Sequence, residues 1–317
     1  MTDKYESDRL AIRELILDAA RSMPVRREMR ELVLSSLASP GKMIRSRLML
    51  LTAGAYDSSC REELLCAAAA VEMLHTSSLI LDDLIDDSPL RRGQPTVHTV
   101  YGKPAALCGG DTLLVTGIRL LLDRGYPRIA TESIDVVQHA CTGEMLQHLL
   151  RKNPDVPEED YFEAIRGKTA WAFRGGCRIS ALVTGRPAEQ ADAAARLGEC
   201  IGMMFQIRDD LLDWTMDAAA LGKPADLDFA EGIYTLPAIH TFRSQVYGPR
   251  LRDLAAKDTL TPADTEEARL LVREAGGLDY AEETLHRFAL EAGKLPDAMP
   301  GCDAGAIREI LRALSGE

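Results

Sequence analysis

Positive charge is what this sequence most lacks. Its 37 Lys and Arg are outnumbered by 49 Asp and Glu, for a formal net charge of −12. So acidic a chain has no general affinity for nucleic acid or anionic lipid, and any anionic ligand must be held by local basic groups or by metal ions. The seven cysteines (Cys60, Cys66, Cys108, Cys141, Cys177, Cys200, Cys302) are odd in number and include no CxxC pair. That favours reduced thiols over a disulfide framework or a zinc site. Aromatic residues make up only 5% and strand-like alternation is nearly absent, which leaves helical periodicity as the organising pattern. No apolar run reads as reaching the ~18 residues that a bilayer span needs, and the opening MTDKYESDRL is too polar for a signal peptide. We therefore expect a soluble, cytoplasmic protein. No low-complexity stretch or linker separates two cores, so residues 1–317 read as one domain.

Helical patterns fill the chain. In ESDRLAIRELILDAARSM, Leu10, Ile12, Leu15, Ile16 and Ala19 form one stripe. Similar patterns recur in REELLCAAAAVEMLHTSSLILDDLIDD, ESIDVVQHACTGEMLQHLLRKN, EEDYFEAIRGKTAWAFRGGCRISALV, EQADAAARLGECIGMMFQIRDDLLDW and DAGAIREILRALSGE. Breakers such as LASPGK, DSPLRRGQPT, NPDVPEED, VTGRPAEQ and DTLTPADTEE fall between them. The pattern predicts an all-α bundle of roughly ten or more helices. The segments ending at Asp87 and Asp213 are apolar on nearly every face until their aspartates begin, which marks both as central helices.

Those aspartates are the unusual feature. Asp82 and Asp86 are four residues apart and share one helix face, with Asp83 about 100° round the helix. Asp209, Asp210 and Asp213 repeat the spacing, with Gln206 three residues before Asp209. Like charges at i, i+4 destabilise a helix. One such trio would read as a solvated helix end, but two in buried-looking helices call for cations. The acid spacing and the lack of a turn glycine exclude a calcium loop. A few hard oxygen ligands on rigid helices suit magnesium bridged to a phosphate-bearing substrate. Candidate phosphate contacts are Arg91 and Arg92, Lys42 and Arg45 in PGKMIRSR, Lys168 in RGKTAWAF, and Lys223 in LGKPADLD. Each alone would be an ordinary surface cation.

In order along the chain, GKMIR, VEMLHTSSLILDDLIDDSPLRRGQPTVH, LCGGDTLL, GEMLQ, GKTA, FQIRDDLLDW and LGKP resemble the motifs of the trans-isoprenyl diphosphate synthase (polyprenyl synthetase) family. The resemblance implies the isoprenoid synthase-like fold, with helices around a central cavity. Across it the two clusters would hold about three Mg²⁺ ions on an allylic diphosphate. Ionisation, attack by the double bond of isopentenyl diphosphate and loss of a proton would complete a 1'-4 condensation. By motif position, Asp82, Asp83, Asp86, Asp209, Asp210 and Asp213 would be metal ligands, led by Asp82, Asp86 and Asp209. Arg91, Lys168, Thr169, Gln206 and Lys223 would hold the allylic diphosphate or steady the developing cation. Lys42, Arg45, His75 and Arg92 would hold isopentenyl diphosphate. The family also implies a homodimer, with a heteromer as the alternative.

The sequence departs from the family pattern at several positions. Pro40 and Ser46 replace the usual Gly and Pro, and Asp226 replaces a usual Gly. Ile233 stands where a lysine usually meets phosphate, so one positive contact is missing. Asp87 is an extra acid for which we expect solvent as the neighbour. In such enzymes the product grows along the helix of the first cluster. Bulky aromatics at the fifth and fourth positions before Asp82 would stop it at about fifteen carbons, with one helical turn of ~5.4 Å admitting roughly one isoprene unit. Ser77 and Ser78 stand there, followed on the same face by Leu74 and Val71, so we expect a product longer than about twenty carbons. The competing readings are a geranylgeranyl or farnesyl diphosphate synthase, a catalytic subunit of a heteromeric synthase, and a class I terpene cyclase. The intact second cluster and the Lys42, Arg45 and His75 set argue against the cyclase.

Overall fold

The computed structural model describes residues 2–38, 41–56, 58–215 and 228–316. Lys223, Pro40 and Asp226 lie outside the described residues. Among the described ones, helices account for nearly all regular structure. They are α1 (Thr2–Ser22), α2 (Arg27–Ser36), α3 (Ile44–Ala53), α4 (Ser58–Ile85), α5 (Val97–Tyr101), α6 (Lys103–Asp123), α7 (Pro127–Leu150), α8 (Glu158–Ile165), α9 (Trp171–Val183), α10 (Ala188–Thr215), α11 (Leu236–Phe242), α12 (Gly248–Ala255), α13 (Pro262–Glu274), α14 (Gly277–Ala292) and α15 (Ala304–Ser315). A π-helical turn, Arg166–Ala170, joins α8 to α9, and a 3₁₀ turn spans Leu295–Ala298. The two short strands β1 (Leu90–Arg91) and β2 (Gln94–Pro95) pair antiparallel. The expected all-α architecture is what the chain adopts.

The chain packs as two compact units. One comprises Met1–Val137, Ala172–Gly198 and Pro296–Ile307; the other comprises Gln138–Trp171, Glu199–Leu295 and Arg308–Glu317. The units interleave in sequence, so no single cut separates them, and the sequence accordingly shows no linker.

In the first unit α4 is the central helix. No Gly or Pro interrupts it, and Ala67–Ala70 are the strongest helix formers. Leu64, Leu65, Val71, Met73 and Ile80 are buried, each worth roughly 1.5–3 kcal/mol of apolar burial. Its main neighbour is α6, which approaches closely at Gly110. A Cβ there would lie 2.9 Å from Leu81 Cδ2. Both α4 and α6 are long and apolar enough to cross a bilayer, which corrects the expectation that no such run exists. Few charges interrupt either apolar window. The α4 window is 72% buried inside the protein, as a core helix requires, whereas that of α6 is 39% buried.

In the second unit the C-terminal half of α10 is central, with Ile201, Met203, Met204 and Ile207 fully buried. An aromatic cluster forms at its end. Trp214, Phe229, Tyr234 and Phe242 pack in tilted and edge-on arrangements with centroid separations of 5.0–6.3 Å. Trp214 Nε1–H donates to Thr235 Oγ1 at 3.1 Å. This cluster fixes the segment from Asp228 to Thr235 against α10. The DTLTPADTEE breaker is a helix start: Thr261 and Asp264 form a capping box with Pro262 in the first turn of α13.

Candidate active site

In the first unit, Asp82, Asp83 and Asp86 occupy the last turn of α4 and the residue just beyond it, the negative pole of the helix dipole. Their carboxylates oppose both one another and that pole, so the arrangement calls for cations. Asp83 already has one. Arg91 Nε donates to both Asp83 oxygens, at 2.8 and 2.9 Å, and Asp83 is 5% exposed. This fork geometry commits Asp83 to Arg91. Asp82 is half-buried and Asp86 exposed. Asp87 also differs from expectation. It pairs with Lys103 at 2.9 Å, which holds its carboxyl below the usual range.

The β1–β2 hairpin explains why two adjacent arginines serve different ends. Arg92 and Gly93 have φ of 52° and 74°, the left-handed pair of a tight two-residue turn. Arg91 on the strand returns to Asp83, while Arg92 at the tip lays its guanidinium against Gly41, beside the exposed Lys42.

Behind them lies Arg45, its guanidinium carbon 4.6 Å from the centre of the Phe173 ring. Its Nε is buried and, among the described residues, has no hydrogen-bond partner. Burial lowers its pKa to about 10 against the pull of Glu72 and Asp82, so it stays charged at neutral pH. Glu72 Oε1 accepts the backbone N–H of Ser46 at 2.9 Å, a bond that the proline usual at Ser46 would lack. It caps the first turn of α3 and fixes Arg45 there. Burial and the charges of Arg45, Arg92 and Arg91 push His75 well below its ordinary pKa. A neutral imidazole within the field of three guanidinium groups marks surroundings that repel cations and suit an anion.

Ser77 is 1% exposed and its hydroxyl donates to the Gly110 carbonyl at 2.8 Å. Ser78 is half-buried and donates to the His75 carbonyl at 2.9 Å. Leu74 is half-buried on the same helix.

In the second unit, α10 carries Asp209, Asp210 and Asp213. Asp210 is 3% exposed with both oxygens occupied. Tyr161 Oη–H donates to Oδ2 at 2.6 Å, and Gln206 Nε2 donates to Oδ1 at 2.9 Å. Gln206 Oε1 in turn accepts from Thr169 Oγ1 at 2.7 Å. Thus Thr169, Gln206 and Asp210, expected to touch metal or diphosphate, are hydrogen-bonded to one another. Burial raises the Asp210 pKa to about 7 despite the two hydrogen bonds that favour its ionised form. Asp213 Oδ2 accepts the backbone N–H of Asp228 at 3.0 Å. Burial, then the charge of Asp213 and its neighbours, raises Asp228 well above the carboxylate range.

Lys168 and Thr169 lie in the π turn, where an extra residue re-aims side chains. The turn seats against α7 at Gly143, where a Cβ would collide with the Lys168 nitrogen and come within 2.6 Å of the Ala164 carbonyl oxygen. Lys168 Nζ lies 2.6 Å from Glu144. Ile233 is half-buried, its N–H donating to the Asp228 carbonyl at 2.8 Å. Arg151 and Lys152 hold the same loop through the carbonyls of Glu231 and Gly232. Sequence reasoning missed Tyr161, Glu144 and Asp228. Glu144 stood inside the quoted GEMLQ, and a closer look at that motif would have raised it.

A model of the polyprenyl synthetase family matches residues 26–272. The chain belongs to the polyprenyl synthetase family. It is 35% identical over 287 residues to heptaprenyl diphosphate synthase component 2 of Geobacillus stearothermophilus, covering 88% of this chain and 87% of that protein. It is 34% identical over 267 residues to geranylgeranyl diphosphate synthase of Methanosarcina mazei, covering 83% and 81%. The crystal structure of a polyprenyl synthase from Caulobacter crescentus, complexed with calcium and isoprenyl diphosphate, matches with a TM-score of 0.86 at 26% identity, covering 98% of this chain and 95% of that one. Membership makes the chain a prenyltransferase, a prenyl diphosphate synthase, as the motifs led us to expect.

Proposed function

We propose that the protein condenses isopentenyl diphosphate with an allylic diphosphate, using Mg²⁺, to make a polyprenyl diphosphate longer than about twenty carbons. One observation carries the reading: the acid-rich end of α4 stands on the same helix as His75, which feels the charges of Arg45, Arg91 and Arg92, and Arg45 Nε is buried with no hydrogen-bond partner among the described residues. A metal-bound diphosphate and a metal-free one thereby find different chemistry in the same unit.

The donor set fits a metal brought in with its substrate. Among the described residues no three acidic, histidine or cysteine side chains converge as a ready-made cage. Mg²⁺ keeps several waters and takes one or two carboxylates plus phosphate oxygens, so paired aspartates on helix ends suit it. Asp82, Asp86 and Asp209 would hold the ions, about three in number, and the calcium-bound relative supports a divalent cation. When bound, the metal neutralises the diphosphate and makes it a better leaving group.

The protein's own groups do the rest. Arg45, Arg92, Lys42 and the neutral His75 bind and orient isopentenyl diphosphate. Lys168 and Lys223 meet the allylic diphosphate. Val71 and Leu74, two to three turns before Asp82, give the growing chain an apolar wall. The isopentenyl double bond is the nucleophile and the departing diphosphate takes the proton, so neither a side-chain nucleophile nor a side-chain base is needed.

Ser77 and Ser78, small and engaged with backbone carbonyls, support growth past the turn of α4 that precedes Asp82. The relatives include both shorter-chain and longer-chain enzymes, so the length rests on these residues. We further propose a homodimer in the cytoplasm. All seven cysteines are free, and α6 carries exposed Leu107, Val115 and Leu122 at helical spacing. Such a stripe is self-complementary across a twofold axis. The "component 2" relative favours a second reading, a catalytic subunit that needs a partner. Incubating the purified protein with Mg²⁺ and farnesyl diphosphate, with and without isopentenyl diphosphate, tests the proposal. Condensation by the protein alone is expected only when isopentenyl diphosphate is present. Hydrocarbon without it would identify a cyclase, and no product with both would favour the partner-dependent subunit.

A further inference from the structure

We infer that Tyr161 is a positioning residue and that Asp210 is not a metal ligand but the hub of a hydrogen-bonded chain, Tyr161–Asp210–Gln206–Thr169, which locks the acidic face of α10 to the π turn carrying Lys168. The inference rests on the proposed role of Asp209 as the metal-binding acid of this cluster.

Both Asp210 oxygens are engaged, at 2.6 Å by the Tyr161 hydroxyl and at 2.9 Å by the Gln206 amide. Tyr161 is 5% exposed and Asp210 3% exposed, so water competes poorly for these bonds. A metal on either oxygen would have to share it with a buried hydroxyl or amide hydrogen, whose partial positive charge the cation repels. The chain's polarity is self-consistent. Tyr161 donates outward from α8, Asp210 accepts twice, and Gln206 passes the link on by accepting from Thr169 at 2.7 Å. Its two ends sit on one continuous helical stretch, since Tyr161 lies in α8 and Thr169 in the π turn that follows. Two points of that stretch are thus tied to one turn of α10. A tie at one point would leave the π turn free to rotate about it, and ties at both ends fix where Lys168 and Asp209 stand relative to each other. Gly143 seats the same turn from the α7 side. A mid-helix π turn without such support would relax toward regular helix and carry Lys168 round the axis.

The test measures Mg²⁺ half-saturation of the full-length protein at saturating inorganic pyrophosphate by titration calorimetry, together with kcat. Asp209→Asn should raise the half-saturation concentration at least tenfold. Asp210→Asn and Tyr161→Phe should each leave it within threefold while lowering kcat about tenfold. Thr169→Val should match that loss, and Thr169→Ser, which keeps the hydroxyl, should restore most of it. The double variant Tyr161→Phe/Thr169→Val should be little worse than either single one, because both cut the same chain. A tenfold shift in Mg²⁺ half-saturation for Asp210→Asn would overturn the inference, as would multiplying losses in the double variant. Should Asp209→Asn leave Mg²⁺ binding unchanged, the metal reading of the cluster itself fails. If Tyr161→Phe does not fold, Asp210→Asn and the Thr169 pair carry the same comparison.

Discussion

His75 stands in the field of Arg45, Arg91 and Arg92, and its place there has a measurable consequence. Its native pKa is well below the ordinary value of 6.5, through burial first and those three charges next. As pH falls through 6.5 the unfolded chain takes up a proton that the native state refuses, so stability falls with pH below that point. Urea unfolding in the absence of metal should show the parent losing about 1 kcal/mol more than His75→Gln between pH 7.5 and 5.5. Comparing parent with variant cancels the opposite slopes of Asp210 and Asp228, whose raised pKa values act the other way. Equal losses in the two proteins would show that His75 is not held neutral. Not every residue's part was legible in the sequence. The acid spacing singled out both clusters, because i, i+4 geometry is local. It set Asp82 and Asp86 ahead of Asp83 by helix face, but it did not show what occupies Asp83, since that depends on a hairpin returning Arg91 to it. Tyr161 was invisible, lying 49 residues from Asp210 in the chain with no pattern linking them.

At the scale of elements, α4 and α6 carry the case for product length. Ser77 closes the contact between them through the Gly110 carbonyl, and α6 comes near enough there to touch Leu81. Ser77→Phe should shorten the product, but it also overpacks this contact at a cost of about 1–3 kcal/mol. Ser78→Phe, half-buried one residue on, should shorten the product with less loss of stability. Product chromatography alongside thermal melts separates the two effects, and unchanged product length in both variants would remove the serines from the tunnel wall. The long helices were readable from apolar periodicity and from breakers such as DTLTPADTEE, which carries the α13 cap. The π turn and the β1–β2 hairpin were not. A π turn adds one residue without a composition signal, and strands of two residues are too short for alternation to register.

For the whole molecule, the proposed dimer turns on the α6 face. An apolar window 39% buried within one chain leaves Leu107, Val115 and Leu122 for a second copy to cover. Val115→Glu should shift the protein from dimer to monomer in sedimentation, and a parent already monomeric at micromolar concentration would refute the proposed dimer. The central claim, however, concerns the reaction and its length. The most direct measurement is the chain length of the product made by the purified protein from Mg²⁺, isopentenyl diphosphate and farnesyl diphosphate. We predict a polyprenyl diphosphate of more than about twenty carbons, one turn of α4 admitting roughly one isoprene unit. A product that stops at about twenty carbons or fewer would contradict it.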